Sequence, residues 1–264
     1  MNYGRAVMIF KNKINFVFIS VLLMIFNNAV VNAEEFDATL GWSKRVELST
    51  PVSGMVQEVF ALAGSIVAKG EVLVQLDPRA FKADLKYAKA EYKNADEQYQ
   101  EAQRELDRQS DMYERTMLSE HDLQVAKNNA IAAKALFQKS AANLTKAKLN
   151  LEHSAIRAPF NAIVINSRAV KGQVVAVEIT PPTLVIVAEA QRMLARFFAS
   201  SDKLTQLTIN QGVNVNVSGK IYQGKIFEVA LEPEESKPNL YAVDVLFDSK
   251  DDMLRAGQNV KIDL

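Results

Sequence analysis

Hydrophobic positions recur with two different periods along this chain, and the change of period marks its organisation. Phe81, Leu85, Ala88, Tyr92, Ala95, Tyr99, Ala102, Leu106, Gln109 and Tyr113 follow one another at alternating spacings of four and three residues. Leu123, Ala126, Ala130, Ala133, Phe137, Ser140, Leu144, Ala147 and Leu151 do the same. That alternation keeps one stripe of a helix turned towards a partner helix, so each stretch predicts a heptad seam. In the first seam Leu85, Tyr92, Tyr99, Leu106 and Tyr113 hold the a positions, and Ala88, Ala95 and Ala102 hold d. Large faces small, which lets two helices approach closely while the gaps fill. No Gly and no Pro falls between Pro78 and Pro159. Two seams of similar length joined by a few residues predict an antiparallel hairpin. Roughly 36 residues per helix at about 1.5 Å each make a rod on the order of 50 Å. Asp77 is placed to cap the first helix, with Pro78 at its tolerated first position. Between the seams lies RQSDMYERTMLS (108–119), a polar reversal without the usual turn residues. Ser119, followed by Glu120, His121 and Asp122, reads as a capping-box-like start for the second helix.

Outside the hairpin the period drops to two. Residues 51–67 (PVSGMVQEVFALAGSIV) and 159–175 (PFNAIVINSRAVKGQVV) form an internal repeat. Pro51 aligns with Pro159, Val56 with Val164, Gly64 with Gly172 and Val67 with Val175, and the Pro-to-Gly gap is 13 residues in both. Each copy runs on into an apolar or alternating stretch, EVLVQLD (71–77) and PTLVIVAE (182–189). Short β-branched runs broken by Gly read as strands and turns, and two matching halves can close one small sandwich where a few strands alone would be marginal. The last third alternates in VNVNVSG (213–219), KIYQGKIFEV (220–229) and YAVDVLF (241–247), broken by Gly212, Gly219, Gly224 and Gly257. It suits a small antiparallel β-barrel. LTQL (204–207) reads as a short helix. Glu232, Glu234 and Glu235 beside Pro233 read as a turn, as does DSKDD (248–252). The expectation is an elongated α+β chain. A strand or linker occupies 34–45, and the sandwich halves lie at 46–77 and 154–189. The helical hairpin spans 78–153 and the barrel 190–264.

Composition narrows the chemistry. The 264 residues carry formal net charge +0, so no bulk field points to nucleic acid. There is no cysteine, which excludes disulfides, cysteine metal sites and a thiol nucleophile. The N-terminus reads as an export signal over residues 1–33. Arg5, Lys11 and Lys13 precede the apolar run FVFISVLLMIF (16–26), and Val31-Asn32-Ala33 has small-x-small character before Glu34. The run is short of the ~20 residues of a membrane span, although a retained anchor is the alternative. Export without cysteine places the chain in the periplasm. His121 and His153, the two histidines, lie about 48 Å apart if helix persists between them, too far to share a metal. No Gly-rich loop precedes a helix as in a phosphate-binding site, and no constellation for catalysis appears. The reading is therefore a non-enzyme without cofactor or metal.

The order of these parts resembles the periplasmic adaptors, or membrane fusion proteins of the HlyD-like type, of tripartite export pumps, most closely those of resistance-nodulation-division (RND) systems. LEHSAIRAPFNAIV (151–164) is similar to the family's Leu-x-x-Thr-x-Ile-x-Ala-Pro-Phe-x-Gly-x-Val, with Ser154 for Thr and Ala162 for Gly. DMLRAGQNVKIDL (252–264) is similar to the strand that closes the adaptor barrel. The resemblance covers roughly residues 44–264 and implies a lipoyl-like sandwich split by the hairpin. Lipoyl and biotinyl carriers hold their group on a Lys at the hairpin turn between their two halves, a turn that the helical rod replaces here. RND adaptors that dock on TolC-type outer-membrane channels carry Arg-x3-Leu-x6-Ser at the hairpin tip. Arg108, Met112 and Ser119 stand at those spacings, with Met in place of Leu. The resemblance implies that these three residues meet the channel, that the barrel seats on an inner-membrane pump, and that several copies form a ring. It also implies that the membrane-proximal domain many such adaptors build from both chain ends is absent or vestigial here. Three other readings stay open on the residues alone: an adaptor of an ABC-type exporter or secretion system, a coiled-coil scaffold unrelated to transport, and a carrier-enzyme subunit.

Overall fold

The two seams fold as the longest elements of the chain, α1 (Arg79–Glu114) and α2 (Glu120–His153). A computed structural model describes residues 34–177, 181–250 and 252–264; the expected export signal at 1–33 lies outside the described residues. Every seam position except Tyr113 is buried or half-buried, with Ala88 and Ala95 of α1 facing a stripe that includes Ala126, Ala130 and Ala147 of α2. Tyr113 sits in the last turn of α1, at the open end of the hairpin, and is 40% exposed. Phe137 lies between Tyr92 and Tyr99, with ring centroids 5.3 and 5.7 Å apart. The neighbouring alanines are what let so large a knob enter. At the root, Asp77 Oδ1 accepts from the Arg79 N–H at 3.1 Å, and Pro78 is already helical at φ −83°. Pro78 itself holds the N-cap position, and Asp77, two residues ahead of the first regular residue Arg79, supplies the capping oxygen from just outside the helix.

The hairpin grows out of a sandwich whose sheets each take strands from both repeats. The first repeat supplies β2 (Arg45–Leu48), β3 (Gly54–Val59), β4 (Ile66–Val67) and β5 (Val72–Leu76). The second supplies β6 (Ala155–Arg157), β7 (Ala162–Ser167), β8 (Val174–Val175) and β9 (Val185–Glu189). The sheets run β2-β9-β7-β4 and β6-β5-β3-β8, so exchanging the repeats turns one sheet into the other. The backbone shows the same symmetry. Gly64 N–H donates to Val164 O, and Gly172 N–H donates to Val56 O, both at 2.8 Å. Gly64 and Gly172 hold φ of +86° and +88°, where a side chain would be strained. Val56, Val164, Val67 and Val175 are all buried in one core with Leu73, Leu76 and Leu184.

The barrel closes in the order β1-β10-β13-β12-β11-β14. It comprises β1 (Glu35–Trp42), β10 (Arg192–Ser200), β11 (Gly212–Val217), β12 (Lys220–Glu234), β13 (Lys237–Asp248) and β14 (Asn259–Asp263). The N-terminal strand β1 pairs antiparallel with both β10 and β14, Ala38 standing opposite Phe197 on one side and Val260 on the other. Phe197, Ile226, Val243, Val245 and Ile262 fill the interior. Gly224 has no room for a side chain, since a Cβ there would lie 2.6 Å from Val245 Cγ1. On the outer wall Arg196 forks onto the buried Asp244 carboxylate at 2.7 Å to each oxygen. Two local expectations are corrected. The short helix is α3 (Ser201–Leu204), one turn earlier than LTQL, because Ser200 and Asp202 favour a helix start there. Glu232 and Glu234 lie within β12, and the turn falls at Glu235–Ser236, because a register irregularity carries the strand past Pro233.

Two segments, Ser43–Lys44 and Ala190–Gln191, carry the chain between sandwich and barrel. Ser43 Oγ lies 2.8 Å from Glu189 Oε2 and 2.7 Å from the Arg192 carbonyl, and Arg192 donates to Glu189 Oε1 at 2.5 Å. Although burial raises the Glu189 carboxyl, the hydrogen bonds from Arg192 and Ser43 outweigh it and hold the group below its ordinary value.

Candidate functional site

The hairpin tip is built by how α1 stops. Arg115 N–H donates to Asp111 O, Thr116 N–H to Tyr113 O at 2.9 Å, and Met117 N–H to Met112 O at 2.9 Å. The last two bonds are the 5→2 and 6→1 pair of a Schellman ending. The residue that such an ending places in the left-handed region is usually Gly. Here it is Thr116, at φ +60°, an unfavourable place for a β-branched side chain. The reversal itself is therefore only Arg115–Ser119, and residues 108–114 of the polar stretch belong to α1.

Ser119 opens α2. Its Oγ accepts from the Asp122 N–H at 3.2 Å and donates to Asp122 Oδ2 at 2.6 Å. The expected cap is present, and it commits the hydroxyl proton to Asp122. Arg108 and Met112 lie one turn apart on the same face of α1. The Arg108 guanidinium is exposed and ion-paired with Glu105, whose other oxygen accepts from Gln109 Nε2 at 2.6 Å. Glu105 so orients the arginine along the helix. Met112 is half-buried. No hydrogen bond joins any two of Arg108, Met112 and Ser119, which stand on the two sides of the reversal.

The structure adds residues that the spacing pattern passes over. Met117 is 68% exposed at the apex, next to Thr116. Its signal in the sequence was an apolar residue inside a polar reversal. Gln109, on the seam just below the tip, keeps its Oε1 buried without a partner. Six carboxylates and two arginines fall between residues 105 and 122, so the tip is acidic around an apolar apex. At the other end of the rod, hydrogen bonds from Arg79 hold the Asp77 carboxyl down at about 2. His121 and His153 are both exposed, at opposite ends of α2. Among the described residues no group of three or more His, Asp or Glu side chains is placed to hold a metal ion. No helix among them is long and apolar enough to cross a membrane.

This geometry has known counterparts. Residues 44–184, more than half of the chain, match the CzcB-like, barrel-sandwich hybrid domain family. The macrolide export protein MacA of Yersinia pestis is 22% identical over 73% of this chain and 56% of its own length. The efflux pump periplasmic linker BepD of Brucella suis is 26% identical over 62% of this chain and 41% of its own. The chain spans about half the length of the curated relatives it matches. Among solved structures, the membrane fusion protein Spr0693 from Streptococcus pneumoniae superposes with a TM-score of 0.67 at 16% identity, covering 88% of this chain and 98% of that one. A split sandwich with a hairpin between its halves and a barrel after them is thus a shared fold. With the match over residues 44–184, this chain belongs to the CzcB-like barrel-sandwich hybrid family of membrane fusion, or periplasmic adaptor, proteins.

Proposed function

We propose that the chain is a non-enzymatic periplasmic adaptor that joins an inner-membrane RND pump to a TolC-type outer-membrane channel. The observation that carries this reading is the hairpin. Two helices of 36 and 34 residues leave the sandwich between its repeats and end in an exposed tip with Arg108, Met112 and Ser119 at the spacing of the RND docking signature. A rod about 50 Å long buries little beyond its own seam, so its length serves reach rather than stability. The names of the relatives, a macrolide export protein and an efflux pump linker, agree with a place in export. The tip signature concerns the channel end of the rod, and the RND class rests on the resemblance in domain order. At the tip, Arg108 can fork to backbone carbonyls or a carboxylate of the channel. Met112 can fill an apolar groove between channel helices.

The repeat also supports a ring. Leu62 and Val170 occupy equivalent turns of the two halves and are 71% and 65% exposed. Contact between the first-half face of one copy and the second-half face of the next is head-to-tail, and a head-to-tail contact can close into a ring.

The test is a site-specific cross-link from position 112 in intact cells, with the captured partner identified by mass. A TolC-type channel is expected, and Arg108→Asp should abolish the product while leaving the helical signal unchanged. Capture of another envelope protein, or full cross-linking and export with Arg108→Asp, would refute the tip assignment.

A further inference from the structure

The rod is not equally well joined along its length. Among the described residues its ion pairs, Lys93–Glu97, Arg104–Glu101 and Arg108–Glu105, each lie within one helix, and no side-chain hydrogen bond joins α1 to α2. Packing alone therefore holds the two helices together. Its largest side chains meet where Phe137 lies between Tyr92 and Tyr99. From that stack towards the tip the packing thins. Ala102 and Ala126 line a groove of about 350 Å³ between the helices, with Glu101, Glu105 and Asn129 around it. Leu106 is only half-buried, and Tyr113 is exposed.

Gln109 stands on the seam in the middle of this thin stretch. Its Nε2 donates to Glu105 Oε1 at 2.6 Å, and Glu105 is paired in turn with Arg108. That bond sets the amide so that Oε1 is buried, with no donor for it among the described residues. Turning the amide over would press its oxygen against the Glu105 carboxylate and bury the NH2 group instead, so either orientation leaves a polar group unmet. A buried acceptor without a donor destabilises the packed state, and parting of the helices relieves it. Two further features act in the same direction. Thr116 holds φ +60° at the end of α1. Glu105, Asp107, Asp111 and Glu114 on α1 and Glu120 and Asp122 on α2 put like charge on both helices there.

We infer that the top of the rod, residues 102–126, opens as one unit above the aromatic stack, and that Gln109 sets how readily it does so. Opening uncovers the seam faces of Leu106 and Leu123 and the Gln109 amide, an apolar strip with one acceptor that lacks a donor. A helix carrying apolar residues at heptad spacing and one hydrogen-bond donor fits such a strip. The opening itself is independent of any partner. Its use in docking rests on the channel reading above, and there the covering helix belongs to the channel.

Native-state hydrogen exchange on the full chain tests the opening, with Gln109→Met as the main variant. Met is an unbranched helix former close to Gln in shape and lacks the buried oxygen. In the wild type the amides of 106–113 and 123–128 should exchange together, ahead of those of 85–99 and 133–147. Gln109→Met should slow the tip group about tenfold and leave the other group unchanged. Gln109→Glu, which adds a charge beside Glu105, should speed the tip group. Exchange graded smoothly down from the apex, or an unchanged tip group in Gln109→Met, overturns the opening. The docking role is read from the cross-link at position 112. Gln109→Met should lower channel capture severalfold although it stabilises the hairpin. A purely structural role predicts equal or greater capture, and that result overturns the docking role. If the wild type captures no TolC-type channel, the channel reading falls and the docking role with it, while the exchange result still decides the opening.

Discussion

Truncating Phe137 tests the seam at its largest knob. Phe→Ala in a core costs about 3–5 kcal/mol when the ring is fully buried. Phe137 is half-buried, so roughly 2 kcal/mol is the share for lost burial and cavity. Its two ring contacts, to Tyr92 at 5.3 Å and Tyr99 at 5.7 Å, each add about 0.5 kcal/mol or more beyond area. Phe137→Ala should therefore cost the hairpin about 3 kcal/mol. Far-UV circular dichroism at the helical band follows the rod, because α1 and α2 hold nearly all of the helix among the described residues. The helical transition should move well below that of the wild type, while near-UV signals from the barrel should stay. A double-mutant cycle of Phe137→Ala with Tyr99→Ala should show a coupling of about 1 kcal/mol. A loss under about 0.5 kcal/mol with no coupling would mean that the alanine stripe alone holds the helices together, and the large-on-small account would be wrong.

Other perturbations probe different links. Thr116→Gly should stabilise the hairpin by about 1 kcal/mol, because Gly adopts the left-handed ending without steric cost; an unchanged helical melting point would count against the Schellman ending. Gly224→Ala should destabilise the barrel by about 1–3 kcal/mol, since its Cβ meets Val245 Cγ1 at 2.6 Å and Val215 Cγ2 at 3.2 Å, and adding Val245→Ala should recover part of the loss. The Asp77 carboxyl is depressed from 3.8 to about 2, so its pairing with Arg79 supports the helix start above pH ~4 and is lost as pH falls through about 2. Carboxyl NMR should place its midpoint there, and Arg79→Gln should return it towards 3.8. With no native cysteine, Leu62→Cys combined with Val170→Cys should give an oxidised ladder of copies. Ladders or dimers from either single variant alone would indicate a symmetric contact instead of a head-to-tail ring.

The hairpin and the repeat were legible because their signals are local. Heptad spacing depends only on which residues recur within a few turns of one helix. Every seam position but one is accordingly at least half-buried, Tyr113 alone being freed by the open end. Gly64 and Gly172 announced equal turns in the two halves, and the backbone bonds them reciprocally. Ser119 declared its cap because the partner N–H lies only three residues on. At the tip, the spacing of Arg108, Met112 and Ser119 could be read, but the apex formed by Thr116 and Met117 could not. A Schellman ending is normally marked by Gly, and here Thr stands in that place.

What the linear chain determined by itself is therefore the period and extent of each element and the division into sandwich, rod and barrel. What only tertiary structure decided is which distant strands pair. Glu35–Trp42 reads locally as a strand or linker beside the first repeat, yet it completes the barrel between β10 and β14, pairing with residues more than 150 positions away. Strand partners are chosen by burial of whole faces and closure of open edges, neither of which a local window contains.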